Sequence, residues 1–303
     1  MISPPASSAA RIADRGYQHY DGVRVGSIGI FWAMLRAALA RGLGLRRPHS
    51  AKIMPMLLIH IPNIVVFVNV ANAIAQPNTV TLQEFWDYAG QPFPVIAMLF
   101  AAVVGPDLFC ADRREHVLSL YFASPITRLQ YAVARAAALA ILLLTLTLLP
   151  MLQLFVGHAL LATSAADYVR GNLPLLGHAV LAGVLEALLF ASVASAVSSL
   201  SDRKVNAGGT FAGIMLVSLT VGDLIATNVK FTSHEKFILV DLMGVGMRTA
   251  RWILGTTPWE GQSGALSQDV FAVSGWAYLG VSLLVTAVAA AILIVRYQRM
   301  RDV

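Results

Sequence analysis

Residues 132–156 read AVARAAALAILLLTLTLLPMLQLFV and carry a single charge, Arg135, near the start. The hydrocarbon core of a bilayer needs about 20 apolar residues for each helical crossing. A crossing segment must be a helix, because backbone groups without internal hydrogen bonds cost several kcal/mol each in lipid. This stretch therefore predicts a transmembrane helix, and the number of such stretches decides the fold.

Five further stretches of the chain are comparably long and apolar. Together with the first, they predict crossings at about residues 53–75, 93–111, 132–156, 174–200, 205–227 and 272–295. The predicted fold class is therefore an all-α polytopic membrane protein with six transmembrane helices. A cytoplasmic N-terminal segment, residues 1–52, precedes the six-helix domain over residues 53–303.

The basic residues fall almost entirely on one side of these crossings. Seventeen of the 22 Lys and Arg residues lie before crossing one, around the loop after crossing two, after crossing four or after crossing six. Because loops rich in Lys and Arg stay in the cytoplasm, both termini are expected there. The same asymmetry accounts for the net charge of +6, so nucleic-acid binding is the weaker interpretation of that charge.

Several chemistries lack the residues that they need. Cys110 is the single cysteine, so no disulfide within the chain and no Cys-based metal site are expected. The zinc motif His-Glu-x-x-His is absent, and no pair of deeply placed histidines offers haem ligands. A Gly-x-x-x-x-Gly-Lys-Ser/Thr loop is also absent. We therefore predict no catalytic, metal or cofactor-binding residue, and no ATP hydrolysis by this chain.

A shorter helical pattern precedes the first crossing, over residues 27–47. Its apolar positions recur at helical spacing and are Ile28, Phe31, Trp32, Leu35 and Leu39. Such a helix either lies on the cytoplasmic leaflet as an interfacial helix or packs on the protein itself. The sequence leaves both possibilities open.

The longest outer loop, residues 228–271, contains a semi-apolar stretch over residues 237–254. Asp241, Arg248 and Arg251 make this stretch too polar to span the membrane. Irregular backbone at membrane depth must be covered by protein. The stretch therefore predicts a re-entrant or interfacial helical pair.

The loop after the second crossing is the most informative local stretch. Residues 112–128 read DRREHVLSLYFASPITR. Val117, Leu120 and Tyr121 fall on one helical face, and the Ser-Pro pair at 124–125 ends the helix. The pattern predicts a short amphipathic helix over about residues 112–124, stiff enough to transmit force. An ordinary positively charged loop is the alternative.

This stretch resembles the loop after the second crossing in permease subunits of ABC-2 type ATP-binding-cassette transporters. There, an acidic and basic start leads into a Leu-rich helix, then a proline, a Ser or Thr with Arg, and an aromatic residue that opens the next crossing. The chain supplies these features in Asp112, Arg113, Leu118, Leu120, Pro125, Thr127, Arg128 and Tyr131. It departs from the family in two pairs, His116-Val117 for Gly-Thr and Ala134-Arg135 for Gly-Lys. The entry helix, six crossings and long last outer loop extend the likeness over the chain.

The resemblance implies a function and a set of partners. It implies a permease dimer, either homodimeric or heterodimeric, that exports a substrate across a bacterial plasma (inner) membrane by alternating access. Two copies of a separate cytosolic ATPase subunit would use ATP and Mg, and membrane lipid would be the other partner. The residues expected to couple to that ATPase are Asp112, Arg113, Arg114, Glu115, Val117, Leu118, Leu120, Tyr121, Pro125 and Arg128.

Three polar residues inside the crossings, His60, Asn63 and Glu186, are candidates for lining a translocation pathway. An ionisable residue at the bilayer centre costs a few kcal/mol or more, so it is a functional candidate by default. Glu186 lies near the middle of crossing four, and His60 lies one turn before Asn63 in crossing one. Hydrogen bonding between helices is the structural alternative. A proton-coupled secondary transporter using Glu186 and His60 is the second functional hypothesis, and a non-transporting membrane scaffold is the third.

Small residues recur at four-residue spacing in two crossings. Crossing five carries Gly209 and Gly213, and crossing four carries Ala187, Ala191, Ser195 and Ser199. Small residues let the backbones of membrane helices approach closely. We expect both stripes to mark helix packing.

Overall fold

The structure, a computed structural model, describes residues 26–45, 49–75, 92–123, 125–228, 238–255 and 273–299. Within these ranges the chain is almost entirely helical and has no strand. The helices are α1 Ser27–Gly42, α2 His49–Ala75, α3 Pro92–Arg114, α4 Leu118–Phe122, α5 Arg128–Leu161, α6 Ala165–Leu200, α7 Lys204–Asn228, α8 Leu242–Leu254 and α9 Gly275–Arg299. Residues 1–25 and 46–48 of the predicted N-terminal segment, and 229–237 and 256–271 of the predicted outer loop, lie outside the described residues.

Six of the described helices are long and apolar enough to cross a membrane. They lie at Lys52–Asn72, Pro94–Arg114, Arg128–Leu161, Ala165–Leu200, Lys204–Gly222 and Gly275–Arg299. The predictions of an all-α fold and of six helices suited to cross a membrane are therefore confirmed for the part of the chain that the structure describes. Such a set of helices is that of a multi-pass membrane protein.

Helices α5 and α6 are longer than the sequence predicts. The predicted crossings at 132–156 and 174–200 leave a loop between them, whereas the structure has only residues 162–164 outside helix there. Ser164 caps the start of α6 by accepting a hydrogen bond from the Asp167 backbone N–H, at 3.4 Å. The hydropathy pattern does not predict these additional turns, because they contain polar residues and lie outside the apolar part of each crossing.

The centre of the bundle is formed by α3, α5 and α6. Helix α6 packs on α5, α9, α8, α3 and α7. The large side chains buried in this centre include Phe100, Phe109, Tyr131, Phe190 and Tyr297. Helices α2, α7 and α9 instead expose apolar side chains, among them Phe67, Val217 and Leu284. Exposed apolar faces of this kind are expected of helices that meet lipid or another protein chain.

The amphipathic helix α1 packs on the bundle. Leu35 and Ala38 are buried, and the helix contacts α5 and α3. At its end, a Cβ added to Gly42 would lie 2.5 Å from Leu142 Cδ1 of α5. Ile28 and Trp32, from the predicted apolar stripe, remain exposed on the outer face. Packing on the protein is thus the described arrangement, and the apolar outer face still suits a membrane interface.

Gly208 marks a close approach between α3 and α7. A Cβ at Gly208 would lie 2.5 Å from the backbone oxygen of Ala102. No described atom lies within 4 Å of a Cβ added at Gly209 or Gly213. The predicted stripe of Gly209 and Gly213 is therefore not the surface that packs within this chain; the adjacent Gly208 takes that role.

We expect Gly208→Ala to force α3 and α7 apart, because backbone stands where the methyl group would go. Overpacking of this kind lowers the free energy of unfolding by about 1–3 kcal/mol, which thermal unfolding in detergent would detect. Gly209→Ala is the matched control, since it adds the same methyl group to the same helix in open space. Equal stability of the two variants would contradict the described contact.

Candidate functional site

A buried cluster of charges connects α1, α3 and α5 at the place where α3 ends and α5 begins. Asp112, in the last turn of α3, is 0% exposed. Its carboxylate forms ion pairs with Arg41 of α1 and Arg135 of α5 and accepts a hydrogen bond from the Tyr131 hydroxyl at 2.8 Å. A buried charge needs such partners to be stable. These four residues, the Asp112 cluster, therefore connect α1, α3 and α5.

The local sequence positions this cluster through the start of α5. The Thr127 side chain accepts a hydrogen bond from the Gln130 backbone N–H at 3.1 Å, and the Gln130 side chain accepts one from the Thr127 N–H at 3.0 Å. This reciprocal capping box fixes where the helix begins. Tyr131 and Arg135 are four residues apart, so they share one helical face, and that face meets Asp112.

Arg41 stays charged in this cluster. Burial acts to lower the pKa of its guanidinium, but the hydrogen bond and the negative charge of Asp112 act to raise it, and the net shift is upward. A permanent positive charge on α1 therefore faces a buried carboxylate of α3. This pairing holds the entry helix against the bundle.

Arg113, next to Asp112, closes the end of α6. Its guanidinium donates hydrogen bonds to the backbone oxygens of Ser198, Ser199 and Ser201. The last carbonyl groups of a helix lack partners within the helix, and a basic side chain satisfies them well. Both Asp112 and Arg113 were expected to contact a partner ATPase. In the structure both side chains are buried and bonded within the chain, so their contact with an ATPase stays a prediction.

The predicted helix over residues 112–124 is not continuous. Asp112, Arg113 and Arg114 belong to the end of α3. His116 then adopts a left-handed conformation, φ 53°. The Val117 N–H donates a hydrogen bond to the backbone oxygen of Asp112 at 3.1 Å. Such a reversal ends a helix. The separate helix α4 therefore spans only Leu118–Phe122.

Helix α4 is also rotated relative to the predicted face. Leu118 is buried, and the rings of Tyr121 and Phe122 pack on Tyr131 with centroids 5.7 and 6.0 Å apart. Tyr131 in turn packs on Tyr297 of α9, at 5.7 Å. The inner face of α4 is thus fixed to α5 and, through Tyr131, to α9. The expectation that Val117, Leu120 and Tyr121 share one face is wrong, since Leu120 points away and Tyr121 points inward.

The outer face of this region is what remains for a partner. Leu120 is 73% exposed, although it lies on the same short helix as the packed rings of Tyr121 and Phe122. Arg114, Glu115 and Pro125 are exposed as well. The other two expected coupling residues, Val117 and Arg128, are half-buried. The exposed part of the predicted coupling set is therefore a small patch of one leucine, one proline and two opposite charges.

A second polar feature lies inside the bundle, on α6. Glu186 is 1% exposed, and neither carboxyl oxygen has a hydrogen-bond partner among the described residues. A Cβ on Gly246 of α8 would lie 3.6 Å from Glu186 Cγ and 3.3 Å from Leu189 Cδ2. The Gly246 backbone therefore lies directly against Glu186.

Helix α8 is largely buried and packs on α6, α9, α7 and α3. Its N-cap, Asp241, accepts hydrogen bonds from the Gly244 N–H and from Arg248 Nη1, both at 2.8 Å. The Leu242 N–H donates to Ser218 Oγ of α7 at 3.2 Å. Within residues 238–255 the predicted helical pair is therefore one α-helix after a short turn, covered by protein as a re-entrant element must be.

The other two pathway candidates lie elsewhere. His60 is exposed on α2, with Nδ1 2.7 Å from the Met56 backbone oxygen. The Asn63 side-chain amide donates to the Ile59 oxygen at 2.6 Å. Helix α2 packs mainly on α5 and α3, whereas Glu186 faces α8. Within this chain His60 and Asn63 therefore lie on a different helix pairing from Glu186, and the pathway role of all three stays a prediction.

Three residues of these features, Arg41, Tyr297 and Gly246, were not predicted from the sequence. The position of Arg41 outside the apolar stripe of α1 was the one sequence feature that indicated a polar contact for this residue. Tyr297 and Gly246 gave no signal, because their role depends on which helices become neighbours. No group of three or more His, Cys, Asp or Glu residues in the described ranges is placed to hold a metal ion.

Comparison with known protein families and with curated proteins finds no match to this chain. The assignment of a function therefore depends on the sequence pattern and on the geometry of the two polar features.

Proposed function

We propose that the chain is the membrane-spanning permease subunit of an ABC transporter, and that it exports a substrate across a bacterial plasma membrane. The observation that carries this proposal is helix α4, which presents an exposed Leu120 while its other face is packed on α5. An exposed apolar side chain on a rigid support suits a contact with another protein. The resemblance of residues 112–128 to the ABC-2 loop identifies that protein as a cytosolic ATPase subunit.

The packing around α4 supports a role in transmitting motion. A push on α4 reaches α5 through Tyr131 and α9 through Tyr297. The Asp112 cluster carries the same displacement into α3 and α1. Closely packed and ion-paired contacts of this kind move as one body, because protein interiors have low compressibility.

The proposed cycle assigns the chemistry to the partner. Two ATPase subunits bind ATP and Mg, close on each other and displace the α4 segments of two permease chains. The helices α3, α5 and α9 then shift together, and the pathway between the two permease chains changes from inward to outward access. The exposed apolar faces of α2, α7 and α9 provide surface for the second permease chain and for lipid.

The experiment that tests this proposal is purification of the chain from its native membrane in mild detergent, followed by native mass spectrometry. The expected result is a complex of two permease chains with two copies of a soluble protein that has an ATP-binding Gly-rich loop. A chain that is repeatedly isolated alone, under conditions that preserve other membrane complexes, would contradict the proposal. Transport that needs no ATPase and stops when the proton gradient is dissipated would favour a proton-coupled transporter.

A further inference from the structure

Glu186 is a buried acid that has no role in the proposed coupling mechanism. It lies within a membrane-spanning helix, is 1% exposed, and has two carboxyl oxygens without a hydrogen-bond partner in the described part of the chain. An ionised carboxylate without partners in apolar surroundings costs far more than a protein tolerates. The group must therefore be neutral in this arrangement or must acquire a partner when the arrangement changes.

No positively charged side chain among the described residues is hydrogen-bonded to Glu186. Four helices that pack on α6 have long segments without any ionisable side chain. These segments are residues 94–106 of α3, 136–157 of α5, 205–222 of α7 and 279–295 of α9. The charged groups near this level belong to α8 and its cap. Asp241 and Arg248 form an ion pair with each other at 2.8 Å, and neither Arg248 nor Arg251 forms an ion pair with Glu186. Asp223 on α7 and Tyr278 at the start of α9 are further titratable residues on helices that pack on α6.

Helix α8 covers Glu186 through a glycine contact. A Cβ added at Gly246 would lie within van der Waals distance of the Glu186 and Leu189 side chains, so the two helices are in close contact at this glycine. With α8 packed on α6, Glu186 is 1% exposed and its carboxyl group is shielded from water. Separation of the two helices would hydrate the carboxyl group, and in water a glutamic acid is ionised at neutral pH.

We propose that Glu186 is a proton-binding site whose occupancy is coupled to the position of α8. The carboxyl group binds a proton when α8 packs on α6, and it releases that proton to water when α8 moves away. Raising the pH therefore favours the separated arrangement by mass action, since that arrangement holds one proton fewer. This inference does not depend on an ATPase partner.

The test measures how readily α8 opens as a function of pH. Cys110 is the single cysteine, so Cys110→Ser with Met247→Cys places one thiol on α8, at a buried position. Its alkylation by a soluble maleimide in proteoliposomes is compared between the Glu186 chain and the Glu186→Gln chain. Because both chains carry the same thiol, the ratio of their rates removes the pH dependence of thiol chemistry.

We expect that ratio to rise by up to about tenfold per pH unit between about pH 5 and about pH 9, since one proton is released on opening and buried glutamates titrate within this range. Glu186→Asp keeps a titratable carboxyl group and should restore the rise, which a purely structural effect of the Gln variant would not do. A thiol at the exposed position Leu120, introduced as Leu120→Cys, should give a ratio that does not change with pH. A ratio for Met247→Cys that stays constant over the whole range would overturn the proposal.

Discussion

Asp112→Ala is expected to lower the free energy of unfolding by about 3–5 kcal/mol, because it leaves the buried guanidinium of Arg135 and the partly buried one of Arg41 without their shared carboxylate. The structure places the Asp112 side chain at 0% exposure, so water cannot replace the lost partner. The Tyr131 hydroxyl loses its acceptor as well. Thermal or denaturant unfolding of the purified chain in detergent would measure the loss.

The matched control is a second aspartate that pairs with an arginine in the same region. Asp202 lies 3.7 Å from Arg113 and its side chain is 77% exposed. Exposed ion pairs contribute about 0–1 kcal/mol, so Asp202→Ala should leave the free energy of unfolding nearly unchanged. Similar losses for Asp112→Ala and Asp202→Ala would show that the Asp112 cluster is not the junction between α1, α3 and α5.

The Asp112 prediction changes how the loop sequence is interpreted. Asp112 and Arg113 form the acidic and basic start of the stretch that resembles the ABC-2 loop. In the structure, Asp112 pairs with α1 and α5, and Arg113 closes the end of α6. Their charges are therefore used inside the chain. The residues left for recognition follow them, around Leu120.

The crossings could be predicted from the sequence because hydropathy depends on composition over about 20 residues. The segment 132–156, for example, lies entirely inside α5. The ends of the helices could not be predicted equally well. The start of α6, for example, depends on one N-cap side chain, that of Ser164. Serine is too common in the sequence for such a cap to locate a helix boundary.

The sites were harder to predict than the fold for two physical reasons. Helix α4 spans five residues, which is too short for a periodic pattern to define its inner face, so Leu120 and Tyr121 were predicted to share a face that they do not share. The left-handed conformation of His116 also has no reliable sequence signal in a residue other than glycine. The separation of His60 from Glu186 depends on which helices become neighbours, and hydropathy carries no such information.

Leu120→Asp is expected to abolish binding of the ATPase subunit while leaving membrane insertion and folding intact. The side chain is 73% exposed in the isolated chain, so a charge there costs nothing until a partner covers it. Within an apolar contact, an unpaired carboxylate costs several kcal/mol, which corresponds to a loss of affinity of about a hundredfold or more. Co-purification of the ATPase with the tagged permease from native membranes measures this loss.

The structure also decides how this variant should be built. A double change of Leu120 and Tyr121 to Asp would remove the partner contact, but the Tyr121 ring packs on Tyr131, so the second substitution would disturb the fold. Leu120→Asp alone separates binding from folding. Leu45→Asp is the matched control, because Leu45 is an exposed leucine outside α4 that should tolerate the same change. Retention of the ATPase by Leu120→Asp would remove the coupling role of α4, whereas failure of the unmodified chain to retain any ATPase would instead contradict the transporter proposal itself.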